Sequence, residues 1–151
     1  MSFFNSKLRY ALCAAIDLAM QPRTEVCQSR EIAARQDIPP FYLDQILAAL
    51  KGAGIVRSIR GAGGGYSLAR PPERISVGDV VRALMRTDRL FSSHSKDETP
   101  DINALGVEWV VHEFEEKVEA MLTRQLNETT LAALVQRKSD LDESMSIMPG
   151  F

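Results

Sequence analysis

The sequence predicts a mainly α fold in which helices and one two-stranded hairpin form a compact unit, followed by a long helical appendage. Three observations predict it. Apolar residues recur at helical spacing in several segments, four glycines fall within five positions between two β-prone runs, and charge divides unevenly along the chain. The 151 residues, 45% hydrophobic and 25% charged, suit one core with an added element rather than two ordinary domains. No apolar run reaches the roughly 18 residues of a membrane span, and Met1 to Arg9 has no signal-peptide core, so the expected location is cytoplasmic.

Leu8, Ala11, Leu12, Ala15, Ile16 and Ala19 follow one helix face, and Pro22 closes that segment. Ser29 is placed to cap a short second helix carrying Ile32 and Ala33, which stops near Asp37 because Pro39 disfavours helical geometry before it. Pro40 suits the first turn of a third helix, with Leu43, Ile46, Leu47 and Leu50 as its buried stripe and Gly52 and Gly54 at its end. Ile55–Arg60 and Tyr66–Ala69 then read as strands around the glycine-rich tip from Gly61 to Gly65. Ser76 and Asp79 form a capping-box pattern opening a helix with Val77, Val80, Val81 and Leu84 inside.

Periodicity lapses from Arg86 to Asn103, a polar stretch, and returns in a long helix over about 104–125. Its stripe is Val107, Val110, Val111, Phe114, Val118, Met121 and Leu122, which needs a partner. Thr129 or Thr130 can cap a last helix with Leu131, Leu134 and Val135, after which Ser139 to Phe151 loses its pattern. The expected organisation is a winged helix-turn-helix domain over 1–86, a flexible loop over 87–103, dimerisation helices over 104–138 and a flexible tail over 139–151.

Three helices with a wing are a helix-turn-helix variant whose second paired helix enters the major groove of double-stranded DNA. The charge agrees. Residues 1–89 carry 13 Lys and Arg against 8 Asp and Glu, whereas residues 90–151 carry 5 against 12, a basic half joined to an acidic one. On the recognition helix Pro40, Phe41, Asp44 and Gln45 lie away from the apolar stripe. Gln45 can pair with an adenine edge, Asp44 can accept from a cytosine amine and Phe41 can press on a thymine methyl. Each has an ordinary alternative as a solvated or packing residue. On the wing, Arg57 and Arg60 can reach phosphates or a narrow minor groove, while Gly61, Gly63, Gly64 and Gly65 before Tyr66 let backbone approach closely. Ser6, Lys7, Arg9, Tyr10, Ser29 and Arg30 can supply phosphate contacts, which position rather than specify.

These strings resemble the Rrf2 family of bacterial winged-helix transcriptional regulators. The likeness is carried by Lys7-Leu8-Arg9-Tyr10-Ala11-Leu12, by Tyr42-Leu43-Asp44-Gln45-Ile46-Leu47 and above all by Ser58-Ile59-Arg60-Gly61-Ala62-Gly63-Gly64-Gly65-Tyr66-Ser67-Leu68, continuing through Ile75 to Ala83. The resemblance implies a homodimer whose long helices cross, a palindromic operator, a role for Asp44 in operator choice and for Arg60 in a minor groove. Asp44 stands where glutamate is commoner in the family, which leaves its base preference open.

Cluster-binding relatives carry three cysteines in the loop before the long helix, and residues 87–103 here contain none, with His94 the single soft-metal candidate. The expectation is therefore no metal and no cofactor, with regulation through a small-molecule or protein effector. Cys13, beside the apolar stripe, is expected to be buried and inert, and Cys27 less constrained. His112 reads as a structural or surface residue, and the terminal Met148 to Phe151 as a free end or a partner-binding tail.

A nucleotide-binding enzyme is disfavoured, because phosphate-cradling glycine loops lead from strand to helix and this one leads into a second strand. No nucleophile, base and orienter stand out, so the chain is not expected to be an enzyme. A winged-helix module for protein interaction, or a regulator with atypical metal ligation, remains the alternative.

Overall fold

A computed structural model describes residues 3–85, 106–148 and 150. The loop expected at 87–103, with His94, lies outside the described residues. The order is α1 (Ser6–Met20), α2 (Ser29–Gln36), α3 (Pro40–Gly52), β1 (Val56–Ile59), β2 (Gly65–Leu68), a 3-10 turn (Pro72–Arg74), α4 (Val77–Met85), α5 (Val107–Glu128) and α6 (Leu131–Ile147).

Local chemistry sets most boundaries. Asn5 caps α1 by accepting a hydrogen bond from the Leu8 N–H at 2.9 Å. The cap of α2 is Gln28 rather than Ser29: it forms a capping box with Glu31, whose carboxylate accepts from the Gln28 N–H at 2.9 Å, and Ser29 becomes the first helical residue. Asp37 ends α2 in the left-handed region at φ 51°, and Pro40 opens α3 where its missing N–H is not needed. The Ser76 and Asp79 box is present, with Ser76 N–H donating to Asp79 Oδ2 at 2.9 Å and Asp79 N–H to Ser76 Oγ at 3.0 Å.

The antiparallel hairpin pairs Val56 with Leu68 and Ile59 with Gly65. Near its tip, β2 is anchored by Cys27, whose N–H donates to Tyr66 O at 2.8 Å and whose carbonyl accepts from Tyr66 N–H at 2.7 Å. The main core joins Ala11, Ala15, Ile32, Leu43, Ile46, Leu47, Leu50, Ile55, Ile75 and Leu131 with little or no exposure. Each large aliphatic side chain so buried contributes about 1.5–3 kcal/mol. A smaller cluster of Leu8, Val77, Val81 and Leu126 fastens α5 to α1 and α4.

A charged clamp ties α1 to α2. The buried Asp17 carboxylate accepts from Arg35 Nε at 2.9 Å, from the other Arg35 fork nitrogen at 2.7 Å and from Gln36 Nε2 at 2.8 Å. That hydrogen bond to Asp17 holds the Arg35 guanidinium above even its ordinary high range.

Further expectations are corrected. Cys13 is exposed and Cys27 is buried. Cys13 shares the outer face of α1 with Arg9 and Met20, whereas Cys27 is enclosed by its pairing with Tyr66, a contact distant in sequence. The helix α6 also runs past the expected tail boundary at 139 to Ile147. Four-residue pairs from Gln136 to Asp140 and Lys138 to Asp142 support this polar helix without an apolar stripe.

Candidate nucleic-acid interface

The outer side of α3 presents Pro40, Phe41, Asp44 and Gln45, all exposed, because Leu43, Ile46, Leu47 and Leu50 turn the opposite side into the core. Phe41 is 72% exposed, a large apolar ring held in water at the first turn of the helix. Tyr42, whose place beside the apolar stripe suggests a packing residue with a polar tip, is 45% exposed. Its ring lies 6.1 Å from that of Tyr10 and 6.4 Å from that of Phe41. The aromatic pair couples the start of α1 to the start of α3. Periodicity could not place Tyr42, which sits at the edge of the stripe.

The structure brings Lys7 and Gln45 to one open cleft of about 790 Å³, lined also by Ala48, Ala49, Arg70 and Arg82. Ser6 and Arg9 are exposed at the start of α1, while Tyr10 is half-buried against the core. Arg30 is exposed and Ser29 half-buried at the start of α2. Arg70 and Arg82 reach the same cleft from the wing exit and from α4, but Asp79, which also lines it, lies 3.7 Å and 2.9 Å from their guanidinium nitrogens and offsets their charge. Their proximity to α3 is a tertiary fact that the sequence did not show.

The two wing arginines differ. Arg57 donates its Nε–H to the buried Ser67 Oγ at 2.8 Å, so its guanidinium is partly committed to the hairpin. Arg60 is exposed and, among the described residues, has no hydrogen-bond or ion-pair partner. The glycines also divide. Gly61 and Gly63 stand open to solvent, whereas a Cβ on Gly64 would lie 2.2 Å from Ile59 O and one on Gly65 would lie 2.6 Å from Cys27 O. Gly64 and Gly65 therefore serve close packing within the wing, and Tyr66 packs against the core as well as flanking the tip.

The seven apolar residues of the α5 stripe are all exposed in the single chain: Val107, Val110, Val111, Phe114, Val118, Met121 and Leu122. Leu126 is the buried residue of that helix.

A family model described as an iron-dependent transcriptional regulator, Rrf2, matches residues 4–137. The chain belongs to the Rrf2 family. It is 36% identical over 134 residues to an HTH-type transcriptional regulator of Haemophilus influenzae, covering 89% of this chain and 87% of that one. Among solved structures it is similar to CymR, the global cysteine regulator of B. subtilis, at a TM-score of 0.74 and 30% identity over 91% of this chain and 98% of that one. It is also similar to T. potens IscR, at a TM-score of 0.69 and 32% identity over 97% and 92% of the two chains. This Rrf2 protein is a transcriptional regulator, DNA-binding by homology, and its relatives are regulators rather than enzymes. Among the described residues no helix is long and apolar enough to cross a membrane.

The iron in the family's description meets a poor donor set in this member. An iron–sulfur cluster takes thiolates, with histidine as an occasional substitute. The chain holds two cysteines, and they diverge: Cys13 faces outward from α1 and Cys27 is enclosed beneath the wing. Among the described residues no three of His, Cys, Asp and Glu converge on a metal-sized space. Among the described residues, the side chains present do not offer the donor set of a cluster.

Proposed function

We propose that this Rrf2 regulator acts as a homodimer that sets two winged helix-turn-helix units on the halves of a palindromic operator, in the cytoplasm, and answers its signal without an iron–sulfur cluster. The observation that carries the dimer is the uncovered α5 stripe. Val107, Val111, Phe114, Val118 and Met121 alternate by four and three residues, the spacing that keeps a straight seam against a second helix. An apolar row of that length is costly in water, and a second copy of α5 covers it by symmetry.

In this reading α3 enters the major groove, with Phe41, Asp44 and Gln45 at the base edges. Ser6, Lys7, Arg9 and Arg30 meet the phosphate backbone. Arg60, with an uncommitted guanidinium at the wing, reaches the adjacent minor groove, and the open backbone at Gly61 and Gly63 allows close approach. Half-site centres then lie about 34–36 Å apart or a multiple of that. The divergent cysteines favour a small-molecule or protein effector over a cluster.

One preparation tests all of it. Protein purified without oxygen is measured by absorption and iron assay, by sedimentation, and by selection of bound duplexes from random DNA. The expected result is a colourless, iron-free dimer that enriches a palindrome, with affinity falling steeply as salt rises. A brown, iron-bearing protein would overturn the cluster-free account. A monomer, or enrichment of single half-sites alone, would overturn the dimer.

A further inference from the structure

The long helix α5 is attached to the DNA-reading unit near one end. Its first residues are exposed, and its contacts gather where Leu126, Asn127 and the Thr129-Thr130 elbow meet the start of α4. Two main-chain hydrogen bonds stitch the elbow down: Val77 N–H to Thr129 O at 2.8 Å and Leu131 N–H to Ile75 O at 2.8 Å. Beside them one Arg82 nitrogen donates to Asn127 Oδ1 at 2.9 Å, and the other donates to Asp79 Oδ1 at 2.9 Å. Asp79 is fixed in turn by its capping box with Ser76 and faces Arg70, at the wing exit, at 3.7 Å. A polar chain thus runs from the wing through α4 to the end of α5.

Gly78 makes this close approach sterically feasible. A Cβ there would sit 2.1 Å from Asn127 Oδ1 and 3.3 Å from the Arg82 nitrogen that holds it. A side chain at 78 would displace the Asn127 amide and break its hydrogen bond with Arg82. The lever is long: 22 residues at 1.5 Å each give α5 a length of about 33 Å. A tilt of about 10° at the joint moves the far end by about 6 Å, close to two base-pair steps of about 3.4 Å.

We infer that the Arg82 to Asn127 contact, seated on Gly78, sets the angle of α5 against the DNA-reading unit and thereby the half-site spacing that the dimer accepts. The inference rests on the homodimer reading above. Arg82 and Asn127 are positioning residues in this account; they touch no DNA and act through the direction of α5.

The test uses the full chain and duplexes in which two half-sites are moved apart one base pair at a time. Wild type prefers one spacing by about tenfold, comparable to the penalty of one mismatched base pair. Asn127→Ala removes the acceptor at an exposed position without adding bulk, and it lowers that preference to about threefold or less. Its dimer mass, melting temperature and affinity for a single half-site stay near wild type. Asn127→Asp keeps an acceptor for Arg82 and restores the preference, a rescue that a general loss of packing would not give. Gly78→Ala shifts or broadens the preferred spacing. A wild-type spacing profile in Asn127→Ala overturns the inference and leaves the dimer reading intact. A wild type that is monomeric, or indifferent to spacing, overturns both.

Discussion

The Gly65 backbone passes so close to Cys27 that a Cβ on the glycine would lie 2.6 Å from the Cys27 carbonyl oxygen and 2.7 Å from its carbon. This is the seat of the wing, since Tyr66 exchanges both main-chain hydrogen bonds with Cys27. Gly65→Ala is expected to destabilise the protein by about 1–3 kcal/mol through overpacking against backbone that cannot rotate away. A urea melt checks the stability, and a duplex titration is expected to show weaker DNA binding as well. Gly63→Ala, in open space, is expected to leave the melt unchanged.

Arg60 and Arg57 are expected to separate in DNA binding. Arg60→Ala removes a guanidinium that has no partner among the described residues, and it should weaken binding across sequences while reducing the salt slope by about one. Arg57→Ala removes a side chain already bonded to Ser67 and should cost less affinity and more wing stability. Titrations at several salt concentrations read both, and equal effects would show that commitment to Ser67 does not matter.

Phe114 is 66% exposed in the single chain, so Phe114→Glu removes no packing from the core. It is expected to yield a folded monomer by sedimentation, with loss of palindrome binding and retention of weak half-site binding. A dimer of unchanged strength would move the interface off the α5 stripe.

Burial pushes the Asp79 carboxyl upward, but hydrogen bonds from the Ser76 N–H, Arg82 and the Ser76 hydroxyl, with the charge of Arg70, outweigh it and hold the group below the usual aspartate range. A depressed folded-state value means that Asp79 adds stability above the unfolded value, near 3.9. That stability is lost as pH falls through the folded value. The stability gap between wild type and Asp79→Asn should therefore hold from neutral pH down to about pH 4 and close below it. Denaturant midpoints between neutral and acid pH measure the gap; a gap that widens on acidification would contradict the sign.

Much of this architecture was legible because its signals are local. Pro40, Leu43 and Leu47 announce α3, the glycine run announces the hairpin, and Ser76 with Asp79 announces α4, each through backbone preferences acting within a few residues. The uncovered α5 stripe was equally plain, since Val107 to Leu122 has no polar interruption on that face. What the sequence concealed depends on contacts distant along the chain. Cys27 is buried by Tyr66 and Cys13 turns outward on a helix whose phase leaves it beside the core stripe, so their expected roles were exchanged. Gly64 and Gly65 are also required by packing inside the wing, since Ile59 and Cys27 occupy the space their side chains would need. The Gly78, Arg82 and Asn127 joint had no sequence signal, because its partners stand 45 residues apart in the case of the Arg82 hydrogen bond. The helical end of α6 escaped for a different reason: side-chain pairs, rather than an apolar face, sustain it.

The opposite exposures of the two cysteines also give the molecule an internal clock. A thiol reagent added to native protein meets Cys13 at once, whereas Cys27 becomes available when the wing lifts from its seat. Counting reactive sulfurs against time, one quickly and the second slowly, times the opening of the hairpin in unmodified protein. Adding operator DNA to the same reaction shows whether the bound duplex holds that door shut.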